Sequence, residues 1–314
     1  MPLTIAAARQ DYLDHLAERN KAHGTVATYT YALDRFFDYL GDEGITPEAP
    51  IDSLTADQLR RYGRHLYRLR LATTTRQTYL VVVRNWLRYL VKSAGLELNP
   101  DAIELPKIRR EPPHPDQRLA TMLNAPAVEG SPAQQLIALR DRAILATLYA
   151  TQLRVSELIG LDRETIDWER GLAVVTGKGG RTRTVFFSDS AIQRLNTYLD
   201  ARADAFAPLF IHHDRAHKPH PRDARGEGMR LTRQTVEALV RKYARAAGVK
   251  ATPHTFRHYG ATELLRNGAD IRTVQELLGH ASVATTQIYT HVSATRLHDQ
   301  WRRFHPAIQD EPPS

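Results

Sequence analysis

Three short stretches decide how the second half of the chain is read: HTFRH at 254–258, LLGH at 277–280 and ATTQIYTHV at 284–292. HTFRH sets His254 and Arg257 three residues apart, so a helix carries both on one face, with His258 beside them. In LLGH, Gly279 stops a helix and leaves His280 just past its end. Tyr289 then follows on a short helix, nine residues after His280. A packed helix has no need of polar residues at these places.

Two stretches upstream have the same character. TQLRVSEL at 151–158 places Arg154 between the end of an apolar helix and the start of a new one. TGKGGRTRTV at 176–185 puts Lys178 on the glycine-rich tip of a β-hairpin. Two arginines offer paired donors that suit the two non-bridging oxygens of a phosphate, and they do not deprotonate. Histidines add a further donor or a general base, and a flexible lysine can protonate a leaving alkoxide. Tyrosine, with a pKa near 10, is a poor nucleophile until a site stabilises its phenolate or removes its proton. Arg154, Lys178, His254, Arg257, His280 and Tyr289 therefore form a complete set for metal-free phosphoryl transfer to tyrosine, in which charge stabilisation dominates. Singly, each has a plainer reading. Arg154 pairs with Glu157 at a helix end, Lys178 is solvated, His254 and Arg257 bridge a helix, His280 is a core histidine and Tyr289 packs.

Order and spacing together resemble the tyrosine recombinases, the phage-integrase family, from about Arg118 to the end. The residues quoted match that family's Arg, Lys, His-x-x-Arg, His/Trp and Tyr pattern in order. The resemblance implies that Arg154, Lys178, His254, Arg257 and His280 surround a scissile phosphate in DNA. Tyr289 would then attack it to give a 3′-phosphotyrosyl link, and strand exchange would pass through a Holliday junction. His258 matches a further histidine common in the family. The Xer branch is the nearest likeness, through one core-binding domain with no arm-binding module before it and through THVSATRLHDQWRRFHP after the tyrosine (290–306). Chromosome or plasmid dimer resolution, or integration and excision of a mobile element, are the roles implied. Gln152 stands where the family usually has Gly, Tyr259 where Ser is common, and HHDRAHKPHPRDARGEGM (212–229) is longer than the matching Xer loop. A type IB topoisomerase-like nicking enzyme and a DNA-binding protein without catalysis remain as alternatives.

Outward from these motifs, the expected fold is mainly α with a small β-hairpin or sheet. It comprises an N-terminal helical core-binding domain (1–105), a linker (106–117) and a C-terminal α+β catalytic domain (118–314). The linker rests on Pro100, Pro106, Pro112, Pro113 and Pro115, which break helices. In the first domain, Leu13 and Leu16 begin an apolar face and Gly24 breaks the helix. Thr25 opens a second helix along Tyr29, Leu33, Phe36, Phe37 and Leu40, which Gly41 and Gly44 end. Ser53 or Thr55 caps a third helix to about Arg70, and a fourth runs over Thr73–Ser93 with Leu80, Val83, Leu87, Leu90 and Val91 inward. Trp86 and Tyr89 read as core. In the second domain, a long apolar helix spans Pro132–Ala150 and a short one Ser156–Leu161, and the hairpin strands are Leu172–Thr176 and Thr182–Phe187. Leu297, Trp301 and Phe304 form one apolar stripe on a terminal helix, with Arg296, Asp299, Arg302 and Arg303 largely off it. The family likeness implies that this helix docks on a neighbouring protomer in a cyclic tetramer, homomeric or with a related recombinase. Packing on its own domain is the other reading.

Charge agrees with a nucleic-acid partner. The net charge is +8 and the pI about 9.7. From Gln58 to Leu96 there are nine basic residues and no Asp or Glu, so the formal excess sits in this segment. Arg60, Arg64, Arg68, Arg76 and Arg84 are the expected phosphate contacts to double-stranded DNA. The absence of cysteine excludes disulfides and thiolate metal sites. His212, His213, His217 and His220 lie in a Pro- and Arg-rich stretch with no evident carboxylate arrangement, so no metal and no cofactor are expected. Without a long apolar run or a leader, the chain reads as cytoplasmic with no membrane contact.

Overall fold

The computed structural model describes residues 2–21, 23–108, 117–177, 180, 182–214, 216–218, 220–279 and 291–306, with backbone only at 117, 118 and 291–296. The chain divides into two compact units, Met1–Pro112 and Pro113–Ser314.

The first unit is helical: α1 (Ile5–Glu18), α2 (His23–Asp42), α3 (Ala56–Arg68) and α4 (Thr73–Ser93). Thr4 caps α1, its side chain accepting from the Ala7 N–H, and Thr55 closes a capping box with Gln58 at the start of α3. Leu33, Phe36, Leu59, Tyr62, Val83, Trp86, Leu87 and Leu90 are fully enclosed. Trp86 lies among them and donates its indole N–H to the Ala8 carbonyl at 3.2 Å, satisfying the polar edge of a buried ring. Two expectations are corrected. Gly24 sits inside the first turn of α2, and the break is made instead by Asn20 at φ 51°, a residue type that tolerates the left-handed region. Val91 is 37% exposed, because it follows Leu90 directly and turns about 100° away from the face that Leu80, Val83, Leu87 and Leu90 share.

In the second unit, α5 (Pro132–Thr151) is capped by Ser131 and Gln134 and is buried at every position from Ala143 to Thr151. The other helices of the unit are α6 (Val155–Ile159), α7 (Asp189–Asp200), α8 (Arg233–Ala246), α9 (Pro253–Arg266), α10 (Ile271–Leu278) and α11 (His291–Phe304). The sheet is antiparallel in the order β1 (Ile166–Asp167), β2 (Leu172–Thr176), β3 (Thr182–Phe186). With its C-terminal half enclosed, α5 packs against α7, α9 and β3. Leu172 pairs with Phe186 and Thr176 with Thr182. The unexpected strand, β1, is two residues long, too short to show an alternating pattern.

The stripe on α11 finds its cover within its own unit. Leu297 and Trp301 are buried in that unit's core, Trp301 lies 5.8 Å from the Phe186 ring, and Asn267 donates to the Phe304 carbonyl at 2.7 Å. Within the single chain the stripe is therefore covered by surface from α9, α10 and β3. Among the described residues, no helix is long and apolar enough to cross a membrane.

Candidate active site

Arg154 is the residue immediately before α6, in extended backbone at φ −67° and ψ 151°. Its position is set by Glu157, one turn into the helix. One carboxylate oxygen accepts from the Arg154 backbone N–H at 2.8 Å, and the other from its guanidinium Nη1 at 2.7 Å. The plain reading of Arg154 as a helix-end ion pair is thus correct, yet its side chain stays 30% exposed and can still reach a ligand.

Glu157 also binds a residue that the sequence motifs passed over. Arg183 of β3 donates from Nη1 and Nη2 to the two Glu157 oxygens at 2.7 and 2.8 Å, a bidentate pair in which both side chains are buried. Burial alone would raise the carboxyl pKa, but hydrogen bonds from Arg183 and from Arg154 hold it down at about 2. The signal for Arg183 lay in the strand pattern. It pairs with buried Val175, and Val185 two residues on is also buried, so the alternation turns this arginine inward.

Arg257 stands on α9 and is 7% exposed. It donates Nη1 to the Gln152 carbonyl at 3.1 Å and Nη2 to the Leu278 carbonyl. Arg183 Nε donates to the adjacent Leu277 carbonyl at 3.1 Å. Two guanidinium groups therefore satisfy carbonyls at the C-terminal end of α10 that have no partner within the helix. Gly279 closes that end in the left-handed region at φ 59°, as its place in LLGH predicts. Burial, then the repulsion of Arg154 and Arg183, push Arg257 down to about 9, so it remains cationic at neutral pH. His254 is exposed, one turn before Arg257 on the same face. Burial on one side, and then the positive field of neighbours led by Arg233, lower its pKa and so favour the neutral ring.

Arg154, His254 and Arg257 are thus brought together, with Arg183 and Glu157 behind them. Lys178, in the five residues joining β2 to β3, and His280 and Tyr289, after α10, lie outside the described residues. Gln152, which replaces the family's usual Gly, adopts φ 54°, so the left-handed turn is made despite a side chain.

The basic helices of the first unit are less one-sided than their sequence. Arg60, Arg64 and Arg68 are exposed, and Arg76 lies 5.0 Å over the Tyr67 ring. Arg61, however, pairs with Glu43 and Asp57. Arg84, also expected to meet phosphate, is engaged within the chain: its guanidinium donates to the Ile103 carbonyl and lies 3.4 Å from Asp101, which also binds Arg88. Acidic residues just outside the basic segment fold back onto it.

The histidine-rich stretch does contain a carboxylate arrangement, contrary to the sequence reading. Asp214 bonds His212 Nδ1 at 3.2 Å and His217 Nδ1 at 2.7 Å. The two rings stack at 3.6 Å and 11°, and one ligand atom from each of the three residues lies within 4.8 Å of the others. The two hydrogen bonds to Asp214 tie the trio together.

Residues 117–296 match the profile of the phage integrase family, and residues 10–94 match its N-terminal SAM-like domain. The chain is 37% identical over 306 residues to the tyrosine recombinase XerC of Pelobacter propionicus, covering 94% of each. It is 34% identical to XerD of Mycobacterium tuberculosis, covering 96% of this chain and 98% of that one. The fold matches that of the XerH recombinase bound to its difH substrate, with a TM-score of 0.63 at 20% identity over 95% of this chain and 82% of that one. A structure of the Tn1549 transposon integrase with a circular-intermediate DNA gives a TM-score of 0.64 at 19% identity, over 94% of this chain and 98% of that one.

Proposed function

The chain belongs to the phage integrase family, as a tyrosine recombinase most like the Xer branch, and we propose that Tyr289 is the nucleophile with which it cuts and rejoins double-stranded DNA. In this reading Arg154 and Arg257 bind the non-bridging oxygens of the scissile phosphate, and His254 and His280 complete the shell around it. The Tyr289 oxygen attacks phosphorus, and its proton passes to a histidine, for which neutral His254 is suited. The bond to the 5′-oxygen breaks as Lys178 delivers a proton to it. A 3′-phosphotyrosyl intermediate results, with no metal or cofactor in the step. Exchange between two sites then runs through a Holliday junction.

The observation that carries this reading is the pinning of the α10 end by Arg183 and Arg257. Both arginines bond its last turn, immediately before the segment that holds His280 and Tyr289. Likeness to Xer recombinases over nearly the whole chain weighs against a topoisomerase or a non-catalytic binder. Arg60, Arg64, Arg68 and Arg76 are assigned to backbone phosphates. The assembly is a tetramer on two duplex sites, acting in the cytoplasm in dimer resolution or in mobile-element integration and excision. A nicked suicide duplex, selected from a randomised library by covalent capture, tests the chemistry. Wild type should form a 3′-phosphotyrosyl adduct in EDTA, and Tyr289→Phe should bind the same duplex and form none. An adduct with Tyr289→Phe removes Tyr289 from the role.

A further inference from the structure

We infer that Arg183 is a positioning residue whose charge frees Arg154 to act on the phosphate. The inference rests on the assignment of Arg154 as a phosphate ligand.

Arg154 meets two conflicting demands. A guanidinium on a mobile side chain needs an anchor, and Glu157 supplies it through both the backbone and the side chain of Arg154. The same carboxylate would cancel the positive charge that Arg154 must offer to phosphate oxygens. In a partly buried site that cancellation is strong, because little water screens it. Arg183 resolves the conflict. Its bidentate contact takes up the Glu157 charge from the interior side, while Arg154 remains on the exposed side of the same carboxylate. Two guanidinium groups and one carboxylate leave this trio with a single positive charge, and adjacent Arg257 adds another.

Arg183 also joins three pieces of the site. It is the second residue of β3, two residues after the segment that holds Lys178, it fixes Glu157 behind Arg154, and it bonds the Leu277 carbonyl at the end of α10. The fit is close. A side-chain carbon placed on Gly279 would lie 2.9 Å from Arg183 Cδ, so the backbone after α10 runs directly against this arginine. Arg183 is itself buried and does not touch the phosphate, so it acts through Arg154 and through the placement of α10.

Single-turnover cleavage of the captured suicide duplex, its dissociation constant and the thermal melt together test the inference. Arg183→Gln leaves Glu157 unbalanced and should slow cleavage by about tenfold or more, the scale of weakening one preorganised donor, with duplex affinity nearly unchanged. Glu157→Gln in the Arg183→Gln background removes the excess negative charge and should recover a large part of the rate. A purely structural Arg183 predicts no such recovery. A double variant no faster than Arg183→Gln therefore overturns the charge role. Arg183→Lys keeps the charge without the fork and should cleave within a few-fold of wild type. It replaces Arg183→Gln if that variant does not fold, and cleavage by Arg183→Lys as slow as by Arg154→Ala overturns the inference. Arg154→Ala distinguishes the two levels. Wild-type cleavage by Arg154→Ala defeats the phosphate assignment itself, whereas slow Arg154→Ala beside normal Arg183→Gln defeats only the role of Arg183.

Discussion

At the scale of single residues, the sequence identified groups by chemical type and missed those defined by what they touch. Arg154, His254 and Arg257 stand out because a packed helix has no use for them there. Arg183 was passed over because it stands between two threonines, and only its alternation with buried Val185 marks it as inward. Gln152 shows how a departure from a family pattern is absorbed. Its left-handed backbone is paired with a side chain that lies across Gly260 of α9, where an added β-carbon would come within 2.0 Å of Gln152 Nε2. An alanine in mid-helix ordinarily gains about 1 kcal/mol over glycine. Gly260→Ala should instead lower the melting temperature, because the buried Gln152 side chain has to move. Adding Gln152→Gly should restore it, since that change empties the space beside residue 260 and removes the cost of a left-handed non-glycine residue. A melting temperature raised by Gly260→Ala alone would show that Gln152 yields freely.

At the scale of elements, periodicity located the helices well and their neighbours poorly. The expected limits of α4 and β2 agree with the structure, because long apolar spacing and a glycine-rich tip are local signals. Which surface covers the apolar stripe of α11 is a non-local matter, decided by α9, α10 and β3. His305, following α11, makes the cis packing testable by pH. It is fully enclosed, stacks on Trp301 at 4.9 Å, and burial drives its pKa down to about 3 against a bond with the Tyr149 backbone. The unfolded chain takes up this proton near pH 6.5, whereas the folded chain resists it until about pH 3. Stability from His305 is therefore complete above pH 6.5 and is lost progressively as pH falls toward 3. The melting temperature should fall between pH 7 and pH 4.5, and His305→Gln, which does not titrate there, should flatten that dependence. Parallel curves for wild type and variant would mean that His305 is not enclosed in cis.

At the scale of the whole molecule, the charge excess belongs to one segment of the first unit, where acidic side chains already engage Arg61, Arg84 and Arg88. The exposed Arg60, Arg64 and Arg68, with Arg76 beside Tyr67, are the arginines proposed to meet phosphates. Neutralising these four together should weaken binding to every duplex. It should also flatten the plot of log affinity against log salt by about 0.9 for each DNA phosphate that the protein then leaves unpaired. An unchanged slope would place the DNA on another surface. The sequence by itself determined the fold class, the helical first unit, the hairpin and the order of the residues proposed as the catalytic set. Those features depend on residue type and on spacings of two to four residues, which the backbone geometry converts directly into shared faces. Only the tertiary structure decided that Glu157 is shared by Arg154 and Arg183, that two arginines cap α10, that Arg84 turns inward and that α11 is covered in cis. Each of those joins distant segments of the chain, and its energy depends on which partner the fold brings within hydrogen-bonding or van der Waals reach.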